Sequence, residues 1–206
     1  VGGGLIQKSR ELEKKHILVG TILLIVAPLL FYKYFNFTNQ IISDILSTVG
    51  LSFKVQFIRL LLPIGISFYT FQAIGYVVDV YQRKIKSEKS LLTYALFLGF
   101  FPQIASGPIG RAPSILPQIK EKRIFNFEAF SKGFSYLIWG YFLKLVIADR
   151  GGIYVDTVFN NYPEHSGISL LLATFIYSFQ IYGDFAGYSL MALGTAKMMG
   201  FDLINN

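Results

Sequence analysis

The stretch Leu96–Pro117, LFLGFFPQIASGPIGRAPSILP, decides how the rest of the chain is read. It is apolar enough to enter a bilayer, yet it carries Gly99, Pro102, Gly107, Pro108, Gly110, Pro113 and Pro117. Proline removes a backbone donor and clashes with the carbonyl one turn back, so this density of breakers excludes a clean spanning helix. Interrupted backbone at membrane depth persists only where protein or a watered cavity satisfies its polar groups. The segment is therefore expected to be re-entrant and to line a cavity, with Gln103, Ser106 and Arg111 as its polar content.

Composition places that segment in a membrane. Of 206 residues, 53% are hydrophobic and only 15% charged, where soluble domains carry roughly a quarter charged residues. The apolar residues come in blocks long enough to span. The fold class expected is all-α: a polytopic membrane helix bundle, one domain over residues 1–206, with the proline-broken segment lining its cavity. The net charge of +7 comes from cations in loops between apolar blocks. Membrane orientation explains them better than nucleic acid does, and no nucleic-acid partner is expected. Without cysteine there is no disulfide framework, thiol nucleophile or thiolate metal site. No metal site is expected at all. The opening VGGGLIQKSRELEKKH has no starting Met, and the chain stops soon after Phe201, so a piece of a longer protein is expected.

Gln7–His16 reads as a solvated loop or a helix end. Ile17–Phe35 is a spanning candidate with a kink at Pro28, followed by a short interfacial helix over Asn39–Val49. Phe57–Val80 spans next, broken near Pro63 and Gly65. Below that break Tyr69, Gln72, Tyr76 and Asp79 share one helical face. Such a stripe either faces a cavity or hydrogen-bonds neighbouring helices without a functional role.

The basic loop Tyr81–Ser90 and the run Lys120–Arg123 are both placed on the cytoplasmic side. Equal flanks mean that the segment between them dips in and returns. Phe130–Asp149 crosses outward, Gly151–Gly167 is an external loop, and Ile168–Tyr182 crosses back. Gly183–Gly200 (GDFAGYSLMALGTAKMMG) continues that helix. Gly183, Gly187, Leu190 and Gly194 share a face suited to close helix contact. Asp184 and Tyr188 lie beside it.

A carboxylate flanked by apolar helix needs a partner and is a functional candidate by default, though a structural ion pair competes. About fifteen residues inward from the external loop puts Asp184 about 22 Å deep. On that depth Arg111 is its expected partner. Lys144, placed near the outer end of its own helix, is expected to snorkel. His16 and His165 read as solvated surface residues. No HExxH, GxSxG or glycine-rich phosphate loop is present, so these residues hold no complete catalytic constellation.

Three stretches in one order carry a family resemblance: PIGISFYTFQAIGYVVDVY (Pro63–Tyr81), FFPQIASGPIGR (Phe100–Arg111, leading to Pro117 and Gln118), and QIYGDFAGYSLMALGTAKMMGF (Gln180–Phe201). GYFLKLVIADR between them is a supporting match. Over about Leu60–Asn206 the chain resembles the membrane-bound O-acyltransferases, on the alginate O-acetyltransferase branch. The teichoic acid D-alanyl transferases look like cousins, sharing SGPI and DFAGY.

The resemblance implies a many-helix funnel in the inner (plasma) membrane, crossing it repeatedly. In it a cytoplasmic acyl donor, acetyl-coenzyme A with no bound cofactor, meets an acceptor hydroxyl from the far side at a buried histidine. The acceptor is implied to be a cell-surface or exported polysaccharide, or a relay acyltransferase on the outer face. That histidine belongs to a segment expected beyond Asn206; neither His16 nor His165 matches it. No catalytic residue is therefore expected within these residues, and the piece alone is expected to be inactive. Tyr69, Gln72, Gln103, Ser106, Arg111, Asp184 and Tyr188 are the candidate cavity-lining residues. The cations Arg83, Lys84, Lys86, Lys120, Lys122 and Arg123 either set topology or attract coenzyme A phosphates. A transporter or channel would also use broken helices and buried polar residues, but the inverted repeat common there is absent.

The fold-back has a direct test, because the chain holds no competing thiols. Lys86→Cys and Lys122→Cys are expected to react with an impermeant maleimide from the cytoplasmic face only. Labelling of the two from opposite faces would show that the intervening segment crosses.

Overall fold

The computed structural model describes residues 2–9, 11–48, 63, 65–104 and 110–203. Every regular element among them is helical. The chain divides into two compact units, Val1–Leu98 with Arg111–Pro113, and Gly99–Gly110 with Ser114–Asn206.

In the first unit α1 (Gly2–Lys8) and α2 (Glu11–Thr48) precede α3 (Ile66–Tyr81) and α4 (Leu91–Leu98). The region Gln7–His16 is thus the end of one helix and the start of another. Helix α2 absorbs both the Ile17–Phe35 span and the expected interfacial helix; Val49 lies outside the described residues. Nothing between Phe35 and Asn39 stops it, because no Gly or Pro intervenes and the Thr38 hydroxyl bonds back to the carbonyls of Tyr34 and Phe35 at 3.0 and 2.9 Å. Pro28 withdraws one N–H from the ladder, and the helix runs on through it. Helix α2 is long and apolar enough to cross a bilayer, and its large side chains are exposed, Leu24 by 77%. An apolar surface of that extent suits lipid.

Of the expected Phe57–Val80 span, residues 57–62 lie outside the described residues. The helix begins at Ile66 behind Gly65, whose φ of 74° is open to glycine at little cost. Its buried face includes Thr70, Gln72, Tyr76 and Asp79, while Phe71 points out. Tyr76 stacks on Tyr94, with ring centroids 4.8 Å apart, and lies near Phe97 at 6.3 Å. A Cβ on Gly3 would sit 3.1 Å from the Tyr76 ring, so α1 approaches α3 through a glycine.

Short helices α5 (Phe101–Ile104) and α6 (Ala112–Lys120) occupy the proline-rich stretch. Residues 105–109 between them are outside the described set. Among the described residues from Leu91 to Lys120 no helix is long enough to span. The second unit is dominated by a helical hairpin. Its rising arm is α7 (Phe127–Phe142), a π-helical turn (Leu143–Ala148) and α8 (Asp149–Asn160); its returning arm is α9 (Gly167–Met198). Asn126 and Ser166 cap the starts of α7 and α9 with their side-chain oxygens.

The expected external loop Gly151–Gly167 is therefore mostly helix. Gly151 and Gly152 open the expected loop, but Gly152 admits a neighbour: a Cβ on it would lie 2.9 Å from the Gln180 amide nitrogen. Gly152, Val155 and Val158 form the buried stripe of α8. Along α9 the expected glycine face holds. Gly183, Gly187 and Gly194 are buried, while Leu171, Phe175, Phe179 and Tyr182 are exposed. This helix too is long and apolar enough to span.

Backbones touch where glycine meets glycine. A Cβ on Gly140 would sit 2.7 Å from the Gly187 carbonyl oxygen, and one on Gly133 would sit 2.6 Å from that of Gly194. Overpacking of this kind costs about 1–3 kcal/mol. Gly140→Ala and Gly194→Ala are each expected to destabilise by that amount in detergent thermal melts. Gly20→Ala, with nothing within 4 Å of its Cβ, is expected to be neutral or stabilising.

Candidate functional site

The glycine contacts align the two arms so that Lys144 faces Asp184. The Lys144 Nζ donates to Asp184 Oδ1 at 2.5 Å and to Asp149 Oδ1 at 2.7 Å. It also lies 5.7 Å from the centre of the Tyr188 ring, within cation–π range. The π turn explains the second contact. In an α-helix residues five apart are rotated by about 140°. The wider turn, with the Asp149 N–H bonded to the Lys144 carbonyl, closes that angle and stacks Asp149 over Lys144. One cation thus bridges a helix distortion on one arm and the acidic residue on the other.

The partner of Asp184 is Lys144, not Arg111 as expected. The difference lies in helix length: with Gly151–Gly167 as loop, Lys144 falls near the outer end of a shorter arm. Helix continues through Asn160, so Lys144 is midway along the rising arm and opposite the middle of α9. It does not snorkel; its side chain is only 23% exposed. One signal in the sequence points here: Gly140 and Gly187 stand one turn from Lys144 and Asp184.

The other expected residues are distributed. Tyr69, Gln72 and the exposed Arg111 belong to the first unit, while Gln103, Asp184 and Tyr188 belong to the second. Ser106 lies outside the described residues. Gln72 Nε2 donates to the Phe97 carbonyl at 3.0 Å, Tyr76 accepts from the Glu88 N–H at 2.8 Å, and Asp79 lies 3.9 Å from Lys84 Nζ. The α3 stripe is thus engaged with its own unit.

Gln103 differs. It is 4% exposed, and neither its amide oxygen nor its nitrogen has a partner among the described residues. A Cβ on Gly110 would stand 2.5 Å from that oxygen and would overlap Ile115. Gly110 is therefore where the backbone makes room for the Gln103 amide.

Gln118 and Asp202, neither singled out as cavity residues, join the ends of the second unit. The Gln118 amide accepts from the Asp202 N–H and donates to the Asp202 carbonyl, both at 2.8 Å. Gly200, at φ 81°, turns the chain out of α9; the Phe201 N–H reaches the Ala196 carbonyl and the Gly200 N–H that of Lys197. Arg123 then lies 4.7 Å over the Phe201 ring.

A glycine-clasped hairpin locked by the Lys144–Asp184 and Lys144–Asp149 pairs, together with apolar helices long enough to span, marks an α-helical membrane protein. No protein-family model matches the chain. It is 34% identical over 181 residues to a Pseudomonas putida protein named "Probable alginate O-acetylase AlgI", covering 88% of this chain and 37% of that protein. A Helicobacter pylori "Peptidoglycan O-acetyltransferase" is 32% identical, over 86% of this chain and 38% of that protein. A Bacillus subtilis "Teichoic acid D-alanyltransferase" is 30% identical, over 66% and 35%. The chain belongs to the membrane-bound O-acyltransferase family. It spans about a third of the length of the curated relatives it matches.

Removing the shared cation leaves two carboxylates facing one another. Lys144→Met is expected to lower the thermal midpoint more than Lys144→Met/Asp149→Asn/Asp184→Asn does, with a coupling of about 0.5–3 kcal/mol. A triple variant no more stable than the single one would show that packing, not charge, holds the contact.

Proposed function

We propose that the protein is a multi-pass inner-membrane O-acyltransferase that moves an acetyl group from cytoplasmic acetyl-coenzyme A to a hydroxyl of a cell-surface or exported polysaccharide, directly or through a relay acyltransferase on the outer face. One observation carries the reading: relatives named for O-acetylation match 88% and 86% of this chain at 34% and 32% identity. In this reading the described residues are part of the funnel wall of a polytopic bundle. The stretch Leu96–Pro117 is its re-entrant segment, a reading supported by the end of α4 at Leu98 and the short helices that follow.

A general base deprotonates the acceptor hydroxyl, whose oxygen attacks the thioester carbonyl; a C–O bond forms, the C–S bond breaks, and the thiolate leaves and takes up a proton. Charge gathers on the carbonyl oxygen, and buried donors stabilise it. Gln103 suits that task best, since its amide is buried with no partner among the described residues and can bond a substrate atom. Tyr188, 40% exposed beside the Lys144–Asp184 pair, is a second donor on the same helix as the DFAGY motif. Gln72 is spent on the Phe97 carbonyl and acts as a brace. D-alanyl transfer to teichoic acid is the second reading, favoured by relatives at 29% and 30% identity. Those matches cover less of the chain than the acetylating relatives do.

Membranes containing the full-length protein are expected to pass label from radioactive acetyl-coenzyme A to polysaccharide. Asp184→Asn and Gln103→Leu should each lower the rate at least tenfold, about 1.4 kcal/mol in the barrier, with membrane insertion unchanged. Label that enters from a D-alanyl carrier alone would select the second reading. Label from neither donor would remove the enzyme assignment.

A further inference from the structure

The first unit carries a concavity of its own. A cavity of about 510 Å³ opens where α1, the start of α2 and the end of α3 meet, within the range of small-ligand pockets, about 300–1,000 Å³. Lys14, Arg83, Lys84 and Lys86 line it together with Gln7 and Tyr81, and among the described residues no acidic side chain does. Asp79, buried behind them, faces Lys84 at 3.9 Å and offsets part of its charge. Cations gathered at one concavity give it a positive potential, which favours an anion there.

The backbone around the pocket is built for this arrangement rather than for economy. Helix α3 ends with the Lys84 N–H on the Asp79 carbonyl at 2.9 Å and the Arg83 N–H on that of Val80 at 3.0 Å. That pattern puts the intervening residue in the left-handed region, where glycine is the usual occupant. Here it is Arg83, at φ 61°, the sole non-glycine with positive φ among the described residues. An arginine where glycine would cost less is the kind of strain that marks a functional constraint. The loop behind it is pinned: the Ser87 N–H donates to Gln7 Oε1 at 2.9 Å, and the Glu88 N–H to Tyr76. Lys14 also fixes the depth. It precedes by three residues the apolar run that begins at Ile17, so the pocket lies where α2 enters the bilayer. That is the level of lipid headgroups, where basic clusters meet anionic phosphate.

We infer that this pocket binds a phosphate group at headgroup depth, held by Arg83, Lys84, Lys86 and Lys14. Its position favours an anionic phospholipid; a soluble organic phosphate offers the same chemistry. Lipid binding here stands apart from the acyl-transfer reading; binding of a soluble phosphate would rest on it, because the same cations are candidates for coenzyme A phosphates.

Full-length protein, delipidated in detergent, is titrated with dioleoylphosphatidylglycerol and with dioleoylphosphatidylcholine and read by native mass spectrometry. In a second arm, protein in phosphatidylcholine nanodiscs is titrated with adenosine 3′,5′-diphosphate. Selective retention of phosphatidylglycerol, reduced at least tenfold in Lys84→Gln/Lys86→Gln and kept in Lys84→Arg/Lys86→Arg, supports a lipid site. Diphosphate binding with the same variant pattern supports a soluble-phosphate site. Arg83→Gly separates binding from folding, since it is expected to raise the Tm by relieving the strained φ while weakening the phosphate complex. Wild type that binds neither ligand, or glutamine variants that bind as wild type does, would overturn the inference.

Discussion

The second unit depends on how closely α7 and α9 approach. Gly133 and Gly140 are seven residues apart on one arm, and Gly194 and Gly187 are seven apart on the other, about two turns in each case. At both places the backbone of one helix occupies the space a side chain of its partner would need. The hydrophobic effect gives helices in lipid little reason to associate, so close van der Waals contact between small residues supplies it. The contact also fixes register, because a slide by one residue would drive a side chain into a carbonyl. Everything polar on the hairpin inherits its geometry from that register.

Much of this was legible in the sequence. The glycine face of α9, the breaker-rich interruption after Leu98 and the break at Gly65 each follow from residues whose backbone preferences are strong. What was illegible came from residues with two uses. Gly151 and Gly152 look like a turn because glycine is common in turns, yet Gly152 serves close packing against Gln180. Once those glycines were read as loop, the rising arm was too short, Lys144 moved to its outer end, and Asp184 lost its partner. The buried spacing of Gly152, Val155 and Val158 could have corrected the reading. The π turn has no comparable signal, since Leu143–Ala148 (LKLVIA) has an unexceptional helical composition.

The polar residues divide by whether protein already satisfies them. On α3, burial and polarity came together as expected, but Gln72, Tyr76 and Asp79 each hold a neighbour in their own unit. Their burial is a matter of construction: polar groups that tie helices together where water is scarce. Gln103 is as deeply buried and has no such bond among the described residues. Polarity alone could not distinguish these cases from sequence, because the difference lies in whether a carbonyl or hydroxyl stands within reach. Gly110 makes that difference structural, since any side chain there would displace the amide.

The same reasoning accounts for the spacing of GDFAGY. Gly183 and Gly187, four apart, place both bare positions on the contact face. Asp184 follows the first by one residue and so lies at the margin of that face, not within it. A carboxylate at the margin reaches a cation on the partner arm without entering the glycine seam, where it would hold the backbones apart. The cation must then come from the partner near its own glycine, and Lys144, one turn beyond Gly140, fulfils that. Lys144 carries a second carboxylate as well, so three charges share a site that is half open: Asp184 is 38% and Asp149 45% exposed. Partial exposure moderates the desolvation cost that a fully enclosed triad would carry. It also leaves Tyr188, one turn beyond Asp184, facing outward beside an ammonium whose hydrogen bonds go to two carboxylates. The glycines set the distance, the distance selects the ion pair, and the ion pair holds the helix surface that presents Tyr188.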